Sequence, residues 1–160
     1  MKLGEGARRS VVVYSVILGI LYIIIGSIEF TTGLLDLPNP GTVESILGMP
    51  VDLFGGFAAL VIGFVYLGAT SLWKGRYESL GFVLVGTMLS AVFGVLYLLI
   101  VGADGLEAYL ACLGGENWTW DWLTSGTAGT GLLRPEIWLF FASLPLLIYT
   151  LKITRKGRVQ

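Results

Sequence analysis

The sequence predicts an all-α integral membrane protein with four transmembrane helices in an antiparallel, left-handed bundle and both chain ends in the cytoplasm. Three observations point there. Of 160 residues, 55% are hydrophobic and only 13% charged, more apolar surface than a soluble domain of this size can hide. Four apolar stretches have the length that a hydrocarbon core requires. Finally, the basic residues gather at one end of the expected bundle, the asymmetry that sets membrane orientation.

Taken in order, the helices are expected at about 11–35, 51–73, 78–103 and 135–154, within one membrane domain covering 1–160. Outer loops follow at 36–50 and 104–134, with a short cytoplasmic loop at 74–77. The first helix is preceded by Lys2, Arg8 and Arg9. Its apolar run is too long for a signal-peptide core and no small-residue cleavage site follows, so it reads as a retained helix. The fourth has its longest uninterrupted apolar run at Ile137–Leu151, and Pro135 suits a first helical position with Glu136 complementing the helix dipole. Lys152 can snorkel to the headgroups. Pro145 predicts a bend in its middle. Nine of the ten Lys and Arg residues fall on the inner side, Arg134 being the exception.

The first helix carries Ser15, Gly19, Tyr22, Gly26, Glu29 and Gly33 at alternating spacings of four and three. That is the a/d stripe that a helix turns toward its neighbours in a bundle. The second repeats it with Asp52, Gly56, Ala59, Gly63, Tyr66 and Thr70, and the third offers Gly86, Ser90 and Gly94. Small residues let helix backbones approach closely where lipid supplies no hydrophobic drive between helices, so these positions are read as packing.

Glu29 is the residue that packing does not explain. It lies on the inner stripe, near the outer edge of the membrane, and an intramembrane carboxylate is a functional candidate by default. Tyr97 is expected at a similar height, Asp52 slightly above and Arg134 at the mouth of the fourth helix. The four together form a candidate outward-facing ligand or ion site, with Arg134 pairing with Glu29 or Asp52. A snorkelling or hydrogen-bonded structural carboxylate is the plainer alternative.

The outer loops differ. The first holds Pro38-Asn39-Pro40-Gly41 and one helical turn expected at Val43–Leu47. In the second, Leu106, Tyr109, Leu110 and Leu113 fall at helical spacing, and Trp118, Trp120 and Trp122 alternate along an extended piece. Both suit an element lying in the interfacial zone. Residues 124–131 read as a flexible link, and Asn117-Trp118-Thr119 is a glycosylation sequon.

Histidine is absent and Cys112 is the only cysteine. Histidine-held haem, the usual zinc sites and thiol redox chemistry are therefore excluded, and no catalytic residue, metal ligand or cofactor is assigned. GxSxG, HExxH, P-loop and GxGxxG motifs are missing. A net charge of −1 leaves no footprint for nucleic acid. The layout of spans and loops is similar to that of tetraspanins, without their outer-loop cysteine motif. The sequence thus suggests a multi-pass protein of the prokaryotic plasma membrane in contact with lipids, acting as a non-enzymatic subunit, scaffold or accessory partner of an assembly. A homo-oligomer is possible. The alternatives are a small ion- or proton-coupled transporter using Glu29, and a binder of lipid or quinone.

Overall fold

The computed structural model describes residues 5–38, 40–41, 51–127 and 129–157, with side chains to 152. The helical turn expected at 43–47 lies outside the described residues. Among the described residues there are four α-helices: α1 (Glu5–Asp36), α2 (Leu53–Leu67), α3 (Leu80–Leu113) and α4 (Pro135–Gly157). A 3₁₀ segment, Gly68–Lys74, prolongs α2, and a short one, Tyr77–Ser79, leads into α3. Between them Gly75 takes φ +81°, a left-handed conformation that glycine adopts without steric cost, and the chain reverses there.

Each helix runs antiparallel to the next. Gly33, Gly26 and Gly19 of α1 face Leu53, Gly56 and Gly63 of α2 in opposite chain order. Tyr66 of α2 lies on Gly86 of α3, and Phe140 of α4 lies on Gly94 of α3. Tyr14 on α1 closes the ring by donating to the Ala142 carbonyl of α4 at 2.7 Å. The glycines work in two ways. On α1 and α2 they bring backbones together: a Cβ at Gly26 would lie 2.7 Å from the Gly56 carbonyl oxygen and from the Leu60 nitrogen. On α3, Gly86 and Gly94 instead make room for aromatic rings, so that stripe admits side chains where a close backbone crossing was expected.

Three helical stretches, Glu5–Asp36, Leu53–Lys74 and Tyr77–Leu113, are long and apolar enough to cross a membrane. α4 has 23 residues, about 34 Å at 1.5 Å per residue. It matches the 22-residue Leu53–Lys74 stretch in length, but Lys152, Arg155 and Lys156 dilute its apolar character. It continues as helix through Pro145.

Beyond the membrane-length portion, three expectations are corrected. α3 continues past Ala103 to Leu113, so the second connection begins as a helix rising from the bundle. The tryptophan segment is not extended: Asp121–Leu123 forms a 3₁₀ turn, and the three indoles cluster, Trp120 stacked on Trp122 and Trp118 edge-on to both, with ring centroids 5.3–6.4 Å apart. Trp122 packs on Gly105, where a Cβ would come within 2.8 Å of the ring. The segment read as a flexible link is tied down. Asp104 accepts hydrogen bonds from the Thr127 amide (2.9 Å) and hydroxyl (2.6 Å), and Gly126 pairs with Gly129.

Candidate functional site

Counting by sevens from the carboxylates shows how the interior is layered. Glu29, Tyr22 and Ser15 on α1, Ala59 and Tyr66 following Asp52 on α2, Tyr97, Ser90 and Val83 on α3, and Glu136, Ser143 and Thr150 on α4 are all turned inward. Apart from Asp52, each is no more than 6% exposed. A heptad is two turns, about 10.5 Å of rise, so the positions form three layers along the bundle axis. In the middle layer the Tyr22 hydroxyl meets the Ser90 hydroxyl at 2.5 Å, and Ser143 donates to Ser90 at 3.3 Å. The layer at the loop end holds the charges.

That layer is assembled by helix ends. Asp52 has extended backbone (φ −137°, ψ 99°) and N-caps α2, accepting from the Gly55 amide at 2.8 Å; an aspartate suits this position because it satisfies an otherwise unpaired donor of the first turn. Arg134 precedes Pro135 and is held extended (ψ 125°), as the proline ring requires of its predecessor. Its side chain turns into the bundle and is 3% exposed. Glu136 stands in the first turn of α4.

Arg134 joins the helices. Its Nη2 donates to the Asp52 carboxylate and, at 2.9 Å, to the Tyr97 hydroxyl, while Nε donates to Glu136 at 3.2 Å. The guanidinium lies 3.6 Å from the centroid of the Tyr97 ring, a cation–π contact. Tyr97 also donates to Asp52 at 2.9 Å. Asp52, ahead of the α2 span, keeps a side-chain exposure of 24%. Burial alone would push its carboxyl up, but the Gly55 amide, the guanidinium and the Tyr97 hydroxyl hold it below the usual carboxylate range.

Glu29 completes the layer differently. It is 0% exposed, and among the described residues neither of its carboxylate oxygens has a hydrogen-bond partner; the same holds for Oε1 of Glu136. The two carboxyls neighbour each other, yet no hydrogen bond of normal geometry joins them. The structure thus brings together Glu29, Asp52, Tyr97 and Arg134, and the arginine pairs with Asp52. Glu136 is the member that sequence reading left out. It passed as an ordinary acid at a helix start, although its seven-residue spacing to Ser143 and Thr150 marks the inward face.

Among the described residues no three Asp, Glu, Cys or His side chains converge as metal ligands. An open apolar groove of about 530 Å³ between α1 and α4, lined partly by Tyr14, Pro145 and Tyr149, lies at the opposite end of the bundle.

The model of one family, the MJ0565 integral membrane domain, matches residues 5–153. The chain belongs to this family. The matched region contains Glu29, Asp52, Tyr97, Arg134 and Glu136, so the whole loop-end layer lies inside the family domain. An archaeal relative, the uncharacterized protein MJ0565 of Methanocaldococcus jannaschii, is 29% identical over 126 residues, which cover 74% of this chain and 77% of the relative. Its source agrees with the prokaryotic character read from the sequence. No solved structure matches. Family, helices and spans together make this a multi-pass integral membrane protein.

Proposed function

We propose that this MJ0565-family domain is a small ion-coupled membrane protein whose cargo or trigger is a proton taken up by the Glu29–Glu136 pair. The observation that carries the reading is the fully buried Glu29 carboxyl without a hydrogen-bond partner, set beside a second buried carboxyl. The charge balance supports it. Asp52 is partly exposed and keeps some solvation, whereas Arg134, Glu136 and Glu29 are 3%, 3% and 0% exposed. Among the described residues, two buried carboxylates against one guanidinium leave one uncompensated buried negative charge, which costs several kcal/mol. One proton held on either carboxyl removes it, and no divalent cage is needed.

Orientation follows from the basic residues. Arg8, Arg9, Lys74, Arg76, Lys152, Arg155 and Lys156 all belong to the end of the bundle where α1 begins and α4 ends. That end faces the cytoplasm by the positive-inside rule, with α4 as the fourth crossing and the carboxyl layer toward the outside.

The test is proton uptake by the full-length protein in liposomes, followed with a pH dye after an external acid step. Wild type should take up protons beyond the protein-free control, and Glu29→Gln should lose that uptake while melting at a similar temperature. Equal uptake by the well-folded variant would remove the basis for the reading. A non-enzymatic subunit is the second reading, favoured by the exposed tryptophans, with Trp120 64% accessible; it predicts a specific heavier complex in native mass spectrometry of gently extracted membranes.

A further inference from the structure

We propose that α3 is a dimerisation helix, and that its outward face docks against α3 of a second copy of this chain. The face is a continuous apolar seam. Val92, Val95, Leu99, Leu106, Tyr109 and Leu113 follow one another at heptad a and d spacing, with Gly102 filling the remaining place, and all six side chains are 44–69% exposed. Within the bilayer such exposure is satisfied by lipid tails. At the loop end it is not.

α1 ends at Asp36, one heptad beyond Glu29, and Asp104 stands one heptad beyond Tyr97 in the same layer, so both mark about the same height. α3 then continues unbroken to Leu113, about another 13 Å. Because the helix does not break, this end rises from the bundle and cannot lie flat in the interface, as Leu106, Tyr109, Leu110 and Leu113 were expected to do. Among the described residues only one side of it is covered, by Trp122 on Gly105 and by Thr127 on Asp104. The other side carries Leu106, Tyr109 and Leu113 into water, the kind of patch that marks an interaction surface.

Three features select a second copy as the partner. The seam keeps one knob spacing from the lipid zone into the aqueous zone, so it fits a helix of equal length and the same direction. Two copies in one membrane, related by a twofold axis along the membrane normal, present exactly that, since the axis leaves the α3 helices parallel. Charge also fits. Asp104 and Glu107 sit at f and b, away from the seam, so two acidic loop ends can approach along this line without opposing like charges. Finally, a shallow apolar depression of about 450 Å³ between Val92, Val95, Leu96 and Leu99 can receive knobs. With Leu96 and Leu110 alongside, the seam exposes on the order of 800 Å² of apolar surface, about what each partner contributes to a stable interface. The carboxyl layer lies on the opposite side of α3, so this inference stands apart from the proton reading.

Disulfide trapping of the full-length protein in its own membranes tests it, with Cys112→Ser as background. Leu106→Cys and Leu113→Cys should each give a covalent dimer of this chain as the main oxidised product, and Glu107→Cys should not. Native mass spectrometry of the wild type should give a dimer that Leu106→Glu combined with Leu113→Glu converts to monomer without lowering the melting temperature. A monomeric wild type, trapping that is equal at Glu107→Cys, or trapping to a different protein would each overturn the proposal.

Discussion

Replacing Arg134 by glutamine should cost the folded state about 3–5 kcal/mol, the range found when one partner of a buried ion pair is removed. Among the described residues Arg134 is the one cation in the layer, and it donates to Asp52, Tyr97 and Glu136 at once. Glutamine leaves Glu136 and Glu29 buried without positive charge, at 3% and 0% exposure, and takes from Asp52 the partner that offsets its desolvation. The loss is a charge imbalance more than a loss of contacts, so it should be recoverable. Arg134→Gln combined with Glu136→Gln removes one charge of each sign and should regain much of the melting temperature lost by the single variant. Simple additivity of the two substitutions would mean that Arg134 acts through packing on the Tyr97 ring and not through charge.

The second large effect is expected at Gly56. A Cβ there would meet the Phe30 amide nitrogen, and at 2.8 Å both the Glu29 carbonyl carbon and the Phe30 Cα. All are main-chain atoms of α1, and none can move without driving the two helices apart. Gly56→Ala should therefore destabilise by about 1–3 kcal/mol or more, although alanine is the better helix former by about 1 kcal/mol. Gly81→Ala, outside the Val92–Leu113 seam of α3, is the matched comparison, because nothing lies within 4 Å of the added carbon; it should be neutral or slightly stabilising. Melting curves of the two variants separate close backbone packing from intrinsic propensity, and equal behaviour would contradict the account of the α1–α2 contact. The displacement would also shift Glu29, so Gly56→Ala should weaken proton uptake as well as stability.

Much of this architecture is legible in the sequence because lipid imposes simple rules. Apolar runs locate α1, α2 and most of α3, and the alternating four-and-three spacing of Ser15 through Gly33 identifies the inner face of α1. What escapes reading is where a helix ends once it leaves the membrane. Hydropathy falls at Ala103-Asp104-Gly105, but a fall in hydropathy does not break hydrogen bonding, and a single glycine costs a helix only about 1 kcal/mol. Gly105 is there to seat Trp122. Heights counted along the helices place Glu29, Asp52, Tyr97 and Arg134 near one another, but the choice of partner depends on a detail that no count contains. The extended backbone that Pro135 imposes on Arg134 aims the guanidinium toward Asp52 and Glu136. Glu136 itself is camouflaged, since an acid in a first helical turn needs no further explanation.

The proton on the Glu29–Glu136 pair is the centre of the account, and infrared difference spectroscopy reads it most directly. At neutral pH the wild-type protein should show the C=O stretch of a protonated carboxylic acid, shifted to lower frequency in heavy water because the pair exchanges its proton with the outside, and Glu29→Gln should lose that band. A wild-type spectrum with only ionised carboxylate bands at neutral pH, or a protonated band unchanged by Glu29→Gln, would contradict it.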